Sequence, residues 1–267
     1  MTPPVALSIA GSDSGGCAGI QADLRTFAAL GVLGTTAVTC VTAQNGAEVR
    51  SVLALPPSLV REQVEAVLDD MPVRAAKTGL LPNEEVVKEV AALAPRLPPL
   101  VVDPVMVATS GQRLADDAIV GAYREHLLPV ASIVTPNLSE TAALLGTGPA
   151  SLSLPAAREA ARRLGEIAPA VVVKGVHLPE EGAVADVVWD GECTWELVNP
   201  RVLSHNTHGS GCTFSAAIAA GLARGLATRE AVEEANRFVH RAIKGSSNWK
   251  FGVGAGPLDH FGWEDQE

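Results

Sequence analysis

The chain has 267 residues, a hydrophobic fraction of 47% with only 4% aromatic, and a formal net charge of -10 at pH 7. Such an acidic chain lacks the clustered Lys and Arg of a non-specific nucleic-acid surface, and no apolar run approaches the ~20 residues of a membrane span. Its four scattered cysteines show neither metal-ligand spacing nor a disulfide framework, so the expectation is a soluble cytoplasmic protein with a core of Ala, Val and Leu.

Residues 5–10 are an apolar run closed by Gly11-Ser12-Asp13-Ser14-Gly15-Gly16-Cys17-Ala18-Gly19, after which Ile20, Leu24, Phe27, Ala28 and Leu30 recur at helical spacing. This is strand, glycine loop and helix. The glycines do not fall in G-x-G-x-x-G spacing and no acidic residue ends a second strand about 20 residues on, which excludes a dinucleotide fingerprint. The loop instead lets backbone approach a small ligand closely, with Asp23 one helical turn further in. Residues 37–42 and 49–55 read as strands about the Asn45-Gly46 turn signal. Gln44 sits where the first of these emerges, and by itself that position is most simply a solvated one.

Helices follow at 59–68 and 86–93 around a short strand at 75–78, and the buried strand 100–102 delivers Asp103-Pro104-Val105-Met106 at its carboxyl end. Ligands of open parallel sheets bind at that end of the strands, so Asp103 is a candidate; a cap or turn role is the alternative. A helix at 116–128 and a strand at 132–135 lead to Pro136-Asn137, where Asn137 caps the next helix and Glu140 completes a capping box, a structural role sufficient in itself. After a helix at 155–167, the strand 170–174 ends in Lys174-Gly175, and 185–189 with 193–197 read as an antiparallel hairpin about Asp190-Gly191. The alternation argues for a single α/β domain, three layers deep, with a mainly parallel sheet and a small antiparallel edge.

The octet Asn206-Thr207-His208-Gly209-Ser210-Gly211-Cys212-Thr213 runs directly into a helix over 213–224, followed by another over 229–244 and a glycine-rich tail. Two glycines flanking a serine at a helix start let backbone N–H groups converge where the helix dipole is positive, a place to hold an anion. Cys212 stands at the mouth of this helix, and the same field is expected to favour its thiolate.

Taken together, these segments resemble the hydroxymethylpyrimidine and phosphomethylpyrimidine kinases of thiamine biosynthesis, within the ribokinase-like superfamily. The resemblance rests on Gly11-Ser12-Asp13-Ser14, Asp23, Gln44-Asn45, Lys77-Thr78-Gly79, Asp103-Pro104-Val105-Met106, Pro136-Asn137 with Glu140, Lys174-Gly175 and the octet, and covers nearly the whole chain. It implies ATP-dependent phosphorylation of 4-amino-5-hydroxymethyl-2-methylpyrimidine and then of its monophosphate. By the same resemblance Gly11, Asp23, Gln44, Leu80 and Val107 would hold the pyrimidine, the carboxamide of Gln44 pairing with a ring nitrogen and the exocyclic amine. Asp103 and Glu140 would position Mg2+ through water, Asn137, Lys174 and Thr207 would contact ATP, and Gly209, Ser210, Gly211 and Cys212 would form the anion hole. A homodimer is implied, with the hairpin edge at 187–195 suited to the contact. Cys17, Val176, Asn236 and Leu80 depart from the family pattern, Asn236 standing where many members carry a lysine. A pyridoxal kinase of the same fold is the nearest alternative, a catalytically idle ligand-binding protein a more distant one, and a thiol redox enzyme lacks a C-x-x-C partner for Cys212.

Overall fold

The structure, a computed structural model, describes residues 2–107, 114–147, 153–179 and 182–263. In chain order its elements are β1 (Val5–Asp13), α1 (Gly19–Ala29), β2 (Leu33–Gln44), β3 (Val49–Ala54), α2 (Pro57–Asp70), β4 (Val73–Thr78), α3 (Glu84–Ala92), β5 (Leu100–Val102), α4 (Asp117–Ala122), β6 (Ile133–Val134), α5 (Leu138–Leu145), α6 (Leu154–Leu164), β7 (Val171–Leu178), β8 (Ala183–Trp189), β9 (Thr194–Pro200), α7 (Ser210–Ala223) and α8 (Thr228–Gly245). The strands form one nine-stranded sheet in the order β3-β2-β1-β4-β5-β6-β7-β8-β9. From β2 to β7 every neighbouring pair is parallel.

Strand alternation divides the core between the two faces of this sheet. On β1, Leu7 and Ile9 pack with Val60 and Val64 of α2 and with Val86, Val87 and Val90 of α3, whereas Ala6 faces the opposite side with Phe27 of α1 and the alanines of α7 and α8. Ten residues of α7 are buried, from Thr213 to Ala223, because this helix lies across the middle of its face. A helix buried almost all round has no polar stripe, which explains its Ala-rich sequence.

The expected helix over 116–128 is regular only through α4. Its chain continues in a wider turn over Tyr123–Leu127 and a tight one over Leu128–Val130, where Pro129 has no N–H to extend the ladder. Antiparallel pairing also occupies both edges of the sheet rather than one. Besides β7-β8-β9, β3 pairs antiparallel with β2, since the turn closed by Asn45 N–H to Glu48 O at 3.0 Å is too short for a crossover.

Candidate active site

The carboxyl ends of β1, β4, β5, β6 and β7 open onto a cleft of about 860 Å³, whose other wall is the segment 204–214 and the start of α7. Gly11, Gln44, Leu80 and Val107 line one part of it, and Asp103, Asn137, Glu140, Lys174, Thr207, Gly209, Ser210, Gly211 and Cys212 also face it. Of the residues expected at the site, only Asp23 is absent from this lining.

Asp23, expected to help hold the pyrimidine, lies outside this lining. It is fully buried in α1, where both carboxylate oxygens lie 2.9 Å from Lys77 Nζ and Oδ2 accepts the Ser8 hydroxyl at 2.5 Å. A carboxylate so enclosed is engaged by its ion pair with Lys77. Its partner on β4 is 54 residues away in sequence, beyond the reach of any local pattern.

The centre of the cleft is polar and strongly charged. Lys174 Nζ donates to Asp103 Oδ1 at 3.1 Å, and Ser215 on α7 donates to Asp103 Oδ2 at 3.3 Å. The capping box forms as expected, with Asn137 N–H on Glu140 Oε2 at 2.7 Å and Glu140 N–H on Asn137 Oδ1 at 2.9 Å. Burial first, and then the Asp103 carboxylate, push the Glu140 carboxyl up to about 7, against the opposing pull of Lys174. Burial opposes the Lys174 charge, but Asp103 and Glu140 hold its ammonium above the usual lysine range.

These carboxylates suit a divalent cation. Among the described residues no cluster of three or more His, Cys, Asp or Glu could hold a metal alone, so an ion here would take its other ligands from water and phosphate, as magnesium commonly does. The pressure of Asp103 on Glu140 is a negative charge that such a cation would relieve.

Glu140→Gln gives a test free of catalysis. Glutamine keeps the capping oxygen but cannot ionise. A carboxyl raised in the folded state retains a proton that the unfolded chain releases, so wild-type stability falls as pH rises from about 4.5 to about 7 and stays reduced above that. Melting in EDTA is therefore expected to favour Glu140→Gln at pH 8 and to show little difference at pH 4.5; a gap independent of pH would contradict the burial argument.

The loop expected to form the anion hole is held from both sides. Gly209 adopts φ +84°, and a Cβ there would drive into the Cys17 carbonyl oxygen, so only glycine allows the loops to touch. Asp13 accepts N–H groups from Gly15 at 2.7 Å, Ala18 at 2.8 Å and Cys17 at 2.9 Å, and His208 Nε2 lies 3.5 Å from its Oδ2. On the far side the His208 N–H donates to Gly256 O at 3.1 Å and the Asn206 amide to Trp249 O at 2.9 Å. Sequence reasoning assigned no role to Asp13 or His208; the signal was the Asp-Ser-Gly-Gly turn, in which an aspartate bonds its own following backbone.

At the helix mouth the N–H groups of Gly211 and Cys212 belong to the first turn, which has no intrahelical acceptors. Ser210 N–H, by contrast, already donates to Thr207 O at 3.2 Å. Against the thiolate expected from the helix field, burial pushes the Cys212 thiol up to about 11, with Asp23 and Asp103 adding to the effect and Lys77 opposing it. Alkylation of Cys212 by iodoacetamide, followed by peptide mass, should accelerate about tenfold per pH unit from pH 7 to pH 10; a plateau near neutrality would show a thiolate instead.

This fold and cleft define a small-molecule kinase of the ribokinase-like class. The family model described as phosphomethylpyrimidine kinase matches residues 13–259, and the chain belongs to that family. It is 46% identical over 264 residues to the hydroxymethylpyrimidine/phosphomethylpyrimidine kinase of Rhizobium meliloti, covering 98% of this chain and 99% of that one. Identity is also 46% over 262 residues to the chloroplastic thiamine biosynthetic bifunctional enzyme of Arabidopsis thaliana, of whose length this chain spans 50%. Among solved structures, pyridoxal kinase from Staphylococcus aureus in complex with AMP-PCP superposes with a TM-score of 0.89 at 34% identity, covering 100% of this chain and 97% of that one. Phosphomethylpyrimidine kinase from Clostridium difficile gives 0.78 at 34% identity, covering 90% and 100%.

Proposed function

We propose that the protein transfers the γ-phosphoryl group of ATP to the hydroxymethyl oxygen of 4-amino-5-hydroxymethyl-2-methylpyrimidine, and then a second phosphoryl group to the resulting monophosphate. The observation that carries this is one continuous cleft with Gln44 and apolar Leu80 and Val107 in its lining together with Lys174, Asp103 and the Gly209 loop. Leu80 and Val107 offer faces for a flat ring, and the Gln44 amide offers a donor and an acceptor side by side, the pattern of an aminopyrimidine edge.

Phosphoryl transfer through a loose transition state depends on positioning and on stabilising charge. Lys174 supplies a fixed positive charge beside the phosphates, Asn137 and Thr207 bound the nucleotide side, and the N–H groups of Gly211 and Cys212 meet the oxygens of the moving group. Asp103 and Glu140 would hold magnesium, and the ion would supply neutralisation of phosphate charge. Cys212 works as a neutral thiol, consistent with a reaction in which proton removal from the acceptor is not the main barrier.

A pyridoxal kinase is the second reading, favoured by the higher TM-scores of the pyridoxal kinases; against it stand the curated kinases of the pyrimidine at 40–46% identity. The discriminating experiment compares kcat/KM for hydroxymethylpyrimidine and pyridoxal in wild type and Gln44→Leu. The pyrimidine is expected to be preferred and to lose roughly tenfold or more on substitution, since a polar edge is left unpaired, while pyridoxal changes little. Preference for pyridoxal in the wild type would reverse the assignment.

A homodimer completes the reading. Its surface, however, is better sought at β2 and β3, where Val41 is 46% and Leu53 67% exposed, than at the hairpin, where Val187 is buried and the Trp195 ring is covered by the Arg229 guanidinium at 4.4 Å. Sedimentation of Leu53→Glu against wild type tests this.

A further inference from the structure

Lys174 lies in an irregular stretch of β7. Pairing with β8 runs Val173 opposite Val187 and resumes with Val176 opposite Ala185, so Lys174 and Gly175 bulge out of the ladder. Bulges of this kind re-aim side chains beside active sites, and this one turns the Lys174 ammonium to Asp103. Gly175, at φ +81°, has an N–H that Asp186 on β8 accepts through Oδ1 at 2.9 Å. The carboxylate thus takes the place of the missing ladder acceptor.

Asp186 is itself held from two further elements. Its Oδ2 accepts the amide of Asn236 on α8 at 3.0 Å, and Asn236 Oδ1 accepts the amide of Asn199 on β9 at 2.7 Å. Because a carboxylate only accepts, the chain has one sense: Asn236 must point its NH2 at Asp186 and its oxygen at Asn199. All three residues line the cleft, and none has a part in the reaction as described above. Asn236, a departure from the family pattern, thereby gains a definite task.

We propose that Asp186, oriented by Asn236 and Asn199, is a positioning residue that pins the Gly175 bulge and so fixes the Lys174 charge against the nucleotide phosphates. The inference rests on Lys174 contacting those phosphates. Displacement of a charged group by about 1 Å can cost two orders of magnitude in rate, so the bulge needs a rigid anchor.

The test is a double-mutant cycle on the full-length protein, with KM for ATP and kcat measured with the pyrimidine acceptor and acceptor binding measured separately by calorimetry. Asp186→Ala is expected to raise the ATP KM roughly tenfold and lower kcat, with acceptor binding unchanged, and to add less than about twofold in a Lys174→Ala background. Asp186→Asn, whose oxygen can still accept from Gly175 while Asn236 and Asn199 turn their amides over, should recover most of the loss. Equal losses with and without Lys174, or weakened acceptor binding, would overturn the inference. Should Asp186→Ala not fold, Asn236→Ala carries the same cycle with the same criteria. A wild-type protein that turns over no acceptor with ATP would instead remove the kinase reading itself.

Discussion

Gly209→Ala is expected to lower kcat about 10²–10³-fold while the protein remains folded. The backbone at this position lies at φ +84°, and a Cβ would collide with the Cys17 carbonyl, so the loop must lift from the segment 14–18 on which it rests. Lifting it turns the first N–H groups of α7 away from the transferred phosphoryl group, and the loss of one such donor typically costs two to three orders of magnitude. The loop keeps ties of its own through the His208 N–H to Gly256 O and the Asn206 amide to Trp249 O, so cooperative unfolding should persist at a lowered melting temperature. Steady-state kinetics with a thermal melt on the same sample decide the matter: near-wild-type kcat would show that the anion hole is not formed by this loop.

Lys77→Met is expected to cost about 3–5 kcal/mol of stability, a large part of the 5–15 kcal/mol typical of a domain. Lys77 and Asp23 are both completely buried, and removing the ammonium leaves a carboxylate with only the Ser8 hydroxyl as partner. Burial already raises the Asp23 carboxyl above its usual range, against the lowering influence of Lys77, and the variant raises it further. A folded-state proton uptake of this sign stabilises the variant as pH falls toward the ordinary aspartate value, so the deficit measured by urea unfolding should be smaller at pH 5 than at pH 8. Adding Asp23→Asn should return much of the stability, because no buried charge then lacks its partner. A single variant as stable as wild type, or a deficit unaffected by Asp23→Asn, would refute the pairing. The same pair bears on function: Asp23→Asn should alter stability far more than the KM for the acceptor.

Much of this architecture was legible in the sequence because its determinants are local. Apolar runs ending in Asp103, Asn137 and Lys174 mark strands by length and composition, and these candidate residues fall at the carboxyl ends that a parallel sheet gathers into one cleft. The capping box at Asn137 and Glu140 and the Asp190-Gly191 hairpin are likewise written within a few residues. What escaped depends on separations no local pattern spans. Asp23 carries a motif position, yet its surroundings are set by Lys77 on a strand far along the chain; Asp186 looks like one more polar residue of a hairpin until the β7 bulge brings it Gly175. Cys212 illustrates a different limit: a helix N-terminus predicts a lowered thiol, whereas the desolvation that pushes it the other way comes from the surrounding packing.

The central claim, two successive transfers at one site, is tested most directly by incubating the purified protein with magnesium, excess ATP and hydroxymethylpyrimidine as sole acceptor, and following products by mass. The account predicts that the monophosphate appears first and is then converted to the diphosphate, with two ADP released per pyrimidine. A monophosphate that accumulates without further conversion, or no pyrimidine product at all beside rapid phosphorylation of pyridoxal, would contradict it.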